Sequence, residues 1–278
     1  MRATWPLAAV LLLLAGCLGA PSSPVRVVPY VELNDAEPGR ATEFALFLRS
    51  TSAFKETFPV ASVERDGWNV TPEAGEVTIP GGATTSLVVR VTPGQDVPHG
   101  VHEVTVKVGE TAARLLVNVR ALGDVTLAPG MGASVYYVLW LDNGTLFATN
   151  LKAAADRADV ARMPQDEPPT EAAWRPLKVY VGGQRGQPPP EPYNSEGCDE
   201  GEAPPCFHPV IPGFDQRLRG MVAGETLAVR VPKEQAYTVP GNETHPLYGH
   251  NLNFLVRVVD VHQYAVRACS LPVCPPVG

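Results

Sequence analysis

The 278-residue chain is poor in charged residues, and basic residues are the scarcer kind. It has 22 Lys and Arg against 29 Asp and Glu, which gives a formal net charge of −7 at pH 7. Nucleic acids and anionic membrane surfaces attract proteins through clustered basic side chains. The acidic balance therefore argues against nucleic acid, or a negatively charged membrane surface, as a partner held by charge.

The apolar run near the start of the chain is too short to cross a bilayer as a helix, which needs about 20 residues. It spans residues 7–15, follows Arg2 and leads into Leu14-Ala15-Gly16-Cys17. A basic start, a short apolar core and small residues before a cleavage site are typical of a signal peptide, here residues 1–16. The last four residues resemble the bacterial lipobox, which implies a lipid on Cys17 and a lipidated tether over 17–24. We predict a lipid-anchored membrane protein facing the exterior or the periplasm; an ordinary secretory signal with a chance cysteine is the alternative.

Cysteine is also scarce, with five residues in the chain. Without Cys17 four thiols remain, an even number that favours two disulfides in an oxidising compartment. Three connectivities are formally possible, and short spacing favours two local pairs, Cys198 with Cys206 and Cys269 with Cys274. A zinc site formed by the first pair and His208 is the alternative, although no Cys-x-x-Cys spacing supports it.

Signatures of catalysis by a nucleophile or a metal are absent from the sequence. There is no Gly-x-Ser-x-Gly motif and no histidine-rich cluster. Gly130-Met131-Gly132 resembles the start of a dinucleotide-binding loop, but the third glycine is missing and a strand follows, so we interpret it as a turn. We therefore expect neither a cofactor nor a metal.

Residues 25–121 show short alternating strands separated by Pro-Gly turns. Apolar residues alternate over 44–48, 87–91 and 104–108, and corners are marked at 38–39, 80–82 and 98–100. This spacing favours a β-sandwich. The turn positions and Gly67-Trp68-Asn69-Val70 resemble Ig-like domains of prokaryotic cell-surface proteins. No catalytic constellation occurs here, which leaves a spacer or a partner-binding surface as its role.

Two stretches of the C-terminal half are apolar on both faces. Over 252–261, one face carries Leu252, Phe254, Val256 and Val258, and the other carries Leu255, Val259 and Val261. Residues 134–141 behave likewise, so each stretch predicts a central strand covered on both sides. Asp142-Asn143-Gly144 then predicts a hairpin, because Asn-Gly tolerates the positive φ angles of a type I′ turn.

A short helix is predicted to begin at Pro212, a residue that suits the first helical turn. Phe214 and Leu218 are four apart and share one helical face, and Gly220 allows a left-handed stop. The Ala-rich stretch 151–163 permits another helix. An antiparallel sheet curled around the short helix accommodates these elements.

Several sequence blocks occur in a recognisable order: Val210-Ile211-Pro212-Gly213-Phe214, then 231–237, then His245-Pro246-Leu247-Tyr248-Gly249 leading into the apolar strand. Together with Tyr137 and the hairpin upstream, they resemble the FKBP-type peptidyl-prolyl cis/trans isomerases over about the C-terminal half. The resemblance implies an α+β FKBP-like domain over 122–262, with insertions at 151–176 and 184–207 and a Cys-containing tail at 263–278. The expected fold class is mainly β, an Ig-like β-sandwich followed by this domain.

The same resemblance implies a proline-binding pocket. Its catalytic positions are Tyr137, Phe147, Tyr237 and Phe254, and its substrate-binding positions are Val210, Ile211 and Phe214. Ile211 would donate its backbone N–H to the substrate, Tyr237 would donate its hydroxyl, and Leu177 stands near an aromatic position of the family. The sequence departs from the family at Ala148, usually acidic, and at Thr238, usually glycine.

Rotation about an X–Pro bond is the activity that the resemblance implies. Amide resonance opposes the rotation with a barrier of about 18–20 kcal/mol, and a dry pocket removes the water that stabilises the planar, polar amide. The substrates would be proline-containing exported polypeptides. Ala148 and the insertions favour an alternative, a catalytically weak binding module or ATP-independent holdase. A surface protein built from two spacer domains is the third interpretation.

Two further features have open interpretations. The 184–207 insertion is either a substrate-contacting flap or a disulfide-closed surface loop. Asn69, Asn143 and Asn242 each begin an Asn-x-Thr sequon, so glycosylation is permitted.

Overall fold

The computed structural model describes most of the chain. The described residues are 23–157, 160–162, 171–183, 187–194, 198, 204–238 and 243–264. The predicted signal peptide, Cys17, Asn242 and the tail pair Cys269 and Cys274 lie outside these ranges.

Two β-sheets form the N-terminal half. The first sheet has the order β1 (Val25–Pro29), β3 (Thr42–Ser50), β7 (Thr84–Pro93), β5 (Trp68–Pro72). The second has the order β2 (Leu33–Ala36), β9 (Thr111–Val119), β8 (Gly100–Val108), β4 (Glu56–Ser62), β6 (Glu76–Ile79). Alternate residues of β3 and β8, among them Phe44, Leu46 and Val106, are buried in one core between the sheets. This is the β-sandwich that the strand spacing predicts; its relation to Ig-like domains stays a prediction.

A third sheet forms the C-terminal half. Its order is β11 (Leu146–Thr149), β10 (Gly132–Trp140), β14 (Leu252–His262), β13 (Thr226–Val231), and β12 (Leu177–Tyr180) also pairs with β10. The helices are α1 (Lys152–Ala155) and α2 (Pro212–Leu218), with 3-10 turns at Glu171–Trp174 and Lys233–Gln235.

In the described parts of the chain, no helix is long and apolar enough to cross a membrane. The mainly β fold class is confirmed.

The prediction for helix α2 is correct. Pro212 occupies its first turn, Phe214 and Leu218 are both buried, and Gly220 follows the helix with a φ angle of 90°. Because a left-handed φ angle strains residues that carry a Cβ, Gly220 ends the helix at low cost.

Both faces of β10 and β14 are covered, as the sequence predicts. On one face, Leu139 and Phe254 pack in the core that contains α2. The other face packs against the N-terminal sandwich in what we call the interdomain core: Tyr30, Ala45, Phe47, Val138, Trp140, Leu146, Ala154, Val160 and Leu255. The ring of Tyr30 stacks on that of Trp140 with centroids 4.9 Å apart. The second cover is therefore the N-terminal half of the same chain.

Polar contacts surround the interdomain core. The Trp140 indole N–H donates to Ser86 Oγ at 2.8 Å, and the Tyr30 hydroxyl donates to the Gly144 carbonyl at 2.6 Å. Burial raises the pKa of Tyr30, so this hydroxyl stays protonated and keeps its donor.

Three carboxylates of the interface are buried and paired. Arg40 reaches Glu225 across the interface at 2.8 Å, and Arg257 of β14 reaches Asp35 of β2. Glu43 accepts the backbone N–H of Ala228 at 2.8 Å while it also binds Arg90. These pairs satisfy charges that burial alone would leave uncompensated.

A β-bulge corrects one prediction about β14. Ser134 pairs with Asp260 and Val135 with Val258, so Val259 has no partner and is 42 % exposed. The extra residue shifts the alternation by one position. Val261 consequently packs on the same core as Val258, and the prediction that it lies on the opposite face is wrong.

The hairpin after β10 forms, but it is not a type I′ turn. No non-glycine residue in the described part of the chain has a positive φ angle, whereas Gly144 has a φ angle of 75°. The Gly144 N–H donates to Leu141 O at 2.8 Å and the Leu141 N–H donates to Thr145 O at 3.0 Å. A type I turn followed by a left-handed glycine explains this pattern.

The helix permitted over 151–163 is confirmed only for Lys152–Ala155. Asp156 turns the chain, Val160 enters the interdomain core, and Arg162 forms a β-bridge with Leu146. A helix this short is marginal by itself. The pairing of Arg162 with Leu146 of β11 and the burial of Val160 therefore determine the course of the chain after Asp156.

The interdomain core predicts that the two halves unfold as one unit. Phe47→Ala removes a fully buried ring from it, and we expect a loss of about 3–5 kcal/mol in the free energy of unfolding. Phe54→Ala is the matched control, since Phe54 is 76 % exposed and its loss should change stability by no more than about 0.5 kcal/mol. Denaturant unfolding followed by tryptophan fluorescence and by circular dichroism measures both variants. Equal effects of the two changes, or two separate transitions in the unaltered chain, would contradict the shared core.

Candidate functional site

The structure gathers the predicted site residues into one apolar cluster. They come from β10, β11, the segment before α2, α2 itself, the segment after the second 3-10 turn, and β14. Ile211, Phe214 and Phe254 are buried in the core that contains α2, and the other four pack against it while remaining partly exposed: Tyr137, Phe147, Val210 and Tyr237. We call these seven residues the aromatic site. It has a buried floor and a half-exposed rim.

Phe254 lies at the centre of this floor. Its ring centroid is 4.9 Å from that of Phe214, with an interplanar angle of 70°, and 6.4 Å from that of Tyr137. Edge-to-face and tilted contacts of this kind match the quadrupoles of the rings. Phe214 and Phe254 are only 4 % and 6 % exposed, so the aromatic surface open to a ligand comes mainly from the partly exposed Tyr137, Phe147 and Tyr237.

A bulge directs Phe147 toward the site. Leu139 pairs with Ala148 and Trp140 with Leu146, which leaves Phe147 without a partner on β10. Leu146 consequently enters the interdomain core, while Phe147 and Ala148 both pack against the other core. A regular strand would have sent these two neighbours to opposite faces. Periodicity in the sequence gives no sign of this bulge.

Asn150 supports the site, and the sequence analysis missed it. It is buried and fills the gap beside β10 between β11 and β12. Its Oδ1 accepts the Tyr137 N–H at 2.7 Å, and its Nδ2 donates to the carbonyls of Val135 and Arg175, each at 3.0 Å. An asparagine just after a short strand carries no distinctive signal, because only the folded sheet shows the missing ladder bonds.

Two tyrosines lie close together on the rim. Burial, and then the nearby Tyr237, raises the pKa of Tyr137, so its hydroxyl is neutral at physiological pH. The Tyr237 ring stacks on His245 with centroids 4.2 Å apart and an interplanar angle of 7°. His245 Nδ1 in turn accepts the Leu247 N–H at 3.1 Å. The 243–250 segment therefore fixes the orientation of the Tyr237 ring.

Ile211 is the residue before helix α2, and its carbonyl accepts the N–H groups of Phe214 and Asp215, both at 3.0 Å. Among the described residues, none accepts a hydrogen bond from the Ile211 N–H. Asp215 ties the helix to the turn after β12, since its carboxylate accepts the Gly182 N–H at 2.6 Å and pairs with Arg219. Ile211 thus presents a backbone donor on a fixed helix end.

Ala148 and Thr238, the two positions that depart from the family pattern, lie in different surroundings. Ala148 is half-buried opposite Leu139 and faces the same core as the aromatic site. Thr238 donates its hydroxyl to the Lys233 carbonyl at 2.6 Å. Leu177, on β12, packs against the same core. The departure at Ala148 removes a carboxylate from the site, whereas Thr238 is accommodated by the 3-10 turn.

One segment of the C-terminal half is similar to a known protein family. Residues 207–259 match the family model described as FKBP-type peptidyl-prolyl cis-trans isomerase. This segment is FKBP-type, and we call the C-terminal sheet with α2, of which it is part, the FKBP-type domain after this similarity. The matched segment includes α2, β13 and most of β14, and with them Val210, Ile211, Phe214, Tyr237 and Phe254 of the aromatic site. No curated protein matches the chain.

Similar solved structures are distant. Domains 4 and 5 of the S-layer protein SbsC match with 18 % identity and a TM-score of 0.26, over 34 % of this chain and 51 % of that chain. WR4, an MSP family member of C. elegans, matches with 14 % identity and a TM-score of 0.24, over 36 % and 99 %. The YadV chaperone matches with 8 % identity and a TM-score of 0.28, over 42 % and 73 %. At these scores the likenesses support no argument about function.

The described part of the second insertion caps the far edge of the FKBP-type domain. Residues 206–208 lie beside β12, where the Tyr180 N–H donates to His208 O and the His208 N–H to Lys178 O, each at 3.0 Å. Tyr193 and Phe207 are buried against Gly132, where a Cβ would come within 2.6 Å of the Phe207 ring. Gly132 precedes Tyr137 by five residues on β10, which is roughly 16 Å. Tyr193 and Phe207 therefore pack in a cluster of their own rather than in the core of the aromatic site, and the flap interpretation stays a prediction.

The disulfide between Cys198 and Cys206 closes this insertion and confirms one predicted pair. Both sulfurs are in the bond, so the alternative of a zinc site with His208 is wrong. Among the residues that the structure describes, no group of three or more His, Cys, Asp or Glu could hold a metal ion. Nearby, burial lowers the pKa of His262, and its neutral ring shares a 2.9 Å hydrogen bond with Ser134 Oγ.

Asn150 should matter more for the FKBP-type domain than an exposed asparagine does. Asn150→Ala leaves the Tyr137 N–H and two carbonyls without their partner, and we expect a loss of about 1–3 kcal/mol in the free energy of unfolding. Asn69→Ala is the control, because the exposed Asn69 side chain bonds only to Thr71 among the described groups. Urea unfolding of both variants measures the difference. If the two changes have the same effect, Asn150 does not support β10.

Proposed function

We propose that this protein is a peptidyl-prolyl cis/trans isomerase that acts on proline-containing exported polypeptides. The observation that carries the proposal is the aromatic site, whose seven residues converge from separate segments within an FKBP-type domain. Here Tyr137, Phe147 and Tyr237 keep part of their surface exposed above a floor of Phe214 and Phe254.

In the proposed mechanism, the substrate proline ring lies on Phe254 and Phe214. Water stabilises the planar, charge-separated amide, and the apolar floor removes that water. The twisted amide is less polar and loses less, so the barrier to rotation falls. The Ile211 N–H and the Tyr237 hydroxyl would hold the flanking carbonyls of the substrate. No group of the protein needs to exchange a proton or form a covalent bond in this scheme.

Ala148 favours a second candidate function. The family's acidic residue at this position would place a carboxylate on the face of the sheet that holds the aromatic site, and Ala148 offers none. A pocket without that polar group still presents an apolar surface for proline-containing segments. The alternative is therefore a catalytically weak binding module or ATP-independent holdase that uses the same seven residues.

A prolyl isomerisation assay on a short peptide tests the enzyme proposal. We expect the full chain to accelerate the reaction, and Tyr237→Phe to slow it about two- to tenfold, because one neutral hydrogen bond contributes about 0.5–1.5 kcal/mol. Phe147→Ala should cost more, with unfolding measured alongside. Tyr180→Phe is the matched control, since Tyr180 contacts the insertion rather than the aromatic site, and its rate should not change.

Ala148→Asp separates the two candidate functions. The substitution restores the family's carboxylate at a half-buried position, and we expect faster isomerisation. A chain that is folded but inert, and that stays inert with Ala148→Asp, would overturn the enzyme proposal. Suppression of client aggregation by that inert chain, and its loss in Phe147→Ala, would then support the holdase.

We also propose that Cys17 carries a lipid that holds the protein at the membrane, outside the cytoplasm. The supporting observation is Leu14-Ala15-Gly16-Cys17 after a short apolar run. Cys17→Ala should abolish incorporation of labelled fatty acid and release the protein from the membrane fraction. Labelling and membrane retention that survive the substitution would overturn the anchor while leaving the isomerase proposal untouched.

A further inference from the structure

A single aromatic side chain projects from the tip of the N-terminal sandwich. Phe54, in the loop between β3 and β4, is 76 % exposed, more than any other large apolar side chain in the part of the chain that the structure describes. Lys55 beside it is exposed as well. A single exposed apolar residue marks no binding surface by itself, but burying the ring in another apolar phase would be favourable, so its surroundings decide whether it has a role.

The loop that holds Phe54 is well ordered by hydrogen bonds. The Gly82 N–H donates to Ser52 O at 2.8 Å, and the Phe54 N–H donates to Ser52 Oγ at 3.1 Å. Ser52 Oγ in turn donates to the Glu56 carboxylate at 2.8 Å. Gly81 packs so closely that a Cβ there would overlap the Ala53 carbonyl. The loop backbone is therefore held in one conformation, and in this conformation the Phe54 ring is exposed.

The tip lies at the end of the sandwich where the described chain starts. The Thr51 N–H donates to Pro24 O at 2.7 Å, and Thr111 Oγ1 donates to Val25 O at 2.9 Å. Cys17 precedes Ser23 by six residues, which span at most about 20 Å when fully extended. A lipid on Cys17 would therefore hold this end of the sandwich, and Phe54 with it, close to the bilayer.

Charges at this end differ in sign from those of the whole chain. Residues 23–26, 49–56, 79–84 and 107–111 contain four basic and two acidic side chains, Arg26, Arg49, Lys55 and Lys107 against Glu56 and Glu110. The balance of these sandwich segments is thus +2 (four minus two), and Asp142 of the hairpin that contacts Thr84 lowers it to +1 (four minus three), whereas the chain carries −7. The overall acidity argues against binding through charge alone. The acidic net charge does not argue against an apolar contact with the membrane that a few nearby basic side chains strengthen.

We propose that Phe54 inserts into the lipid interface of the membrane that carries the Cys17 anchor, with Lys55 at the level of the phosphate groups. Aromatic rings favour the boundary between headgroups and acyl chains, and a lysine stem lies along apolar surface while its ammonium stays in the polar layer. This second contact would fix the orientation of the sandwich. Through the interdomain core, it would also fix the direction in which the aromatic site faces. The inference rests on the proposed anchor and goes beyond the proposed isomerase activity.

Tryptophan placed at the tip reports the contact directly. The lipidated full chain carrying Phe54→Trp is reconstituted on vesicles of phosphatidylcholine and phosphatidylglycerol, with brominated acyl chains as quencher. The fluorescence of the parent chain, which has tryptophans of its own, is subtracted. Val101→Trp is the matched control, because Val101 is 60 % exposed and lies near the start of β8, at the other end of the sandwich. Val108, at the Phe54 end of the same strand, is seven residues or about 23 Å away from it.

We expect the added indole of the Phe54→Trp chain to emit at shorter wavelength and to be quenched at least about twofold more than that of the Val101→Trp chain, since only a ring in the acyl region meets the bromine atoms. Lys55→Glu in the Phe54→Trp background should reduce the quenching on these vesicles and leave it unchanged on phosphatidylcholine alone. Equal quenching of the two variants on vesicle-bound protein overturns the proposal. A chain that does not sediment with the vesicles overturns both the contact and the anchor, while the peptide assay judges the isomerase function separately.

Discussion

The Tyr30 ring lies against the Trp140 indole, with Phe47 beside them, and the C-terminal sheet depends on this contact. Its strands β10 and β14 carry apolar residues on both faces, and helix α2 covers only one of them. Without the N-terminal sandwich, Val138, Trp140 and Leu255 would be exposed to water. The sandwich therefore completes the hydrophobic burial of the FKBP-type domain, and a description of it as a simple spacer leaves out this role.

The same contact bears on the aromatic site on the opposite face of the sheet. Tyr137 and Phe254 lie on β10 and β14, and the neighbours Val138 and Leu255 pack into the interdomain core. Side chains of adjacent residues in a strand point to opposite faces, so packing on one face holds the backbone that positions the other. Asn150 acts on the same strand from its edge, where β11 and β12 leave a gap.

Much of the fold could be predicted because its signals are local in the sequence. Pro212, Phe214 and Gly220 mark the helix, and the order of motifs from Val210 to Val261 indicates the FKBP-type domain that the family comparison supports. One failure comes from a bulge: the extra residue at Val259 is not revealed by periodicity, and it reverses the face of Val261. The bulge at Phe147 is equally hidden from periodicity, although the family resemblance had already placed Phe147 in the site. The turn at Asn143 and Gly144 was misassigned because an Asn-Gly pair suits more than one hairpin geometry.

By itself, the sequence determined which residues are apolar on which side, where turns fall, and which blocks resemble a proline-binding domain, because alternation and turn chemistry act between near neighbours. It also determined that Cys198 and Cys206 are close enough along the chain to pair. Only the tertiary structure decided what covers the second face of β10, that Phe147 shares a face with Ala148, and that Asn150 holds Tyr137. These outcomes depend on contacts between segments far apart in the chain, and no pattern of adjacent residues specifies which distant surface will meet another.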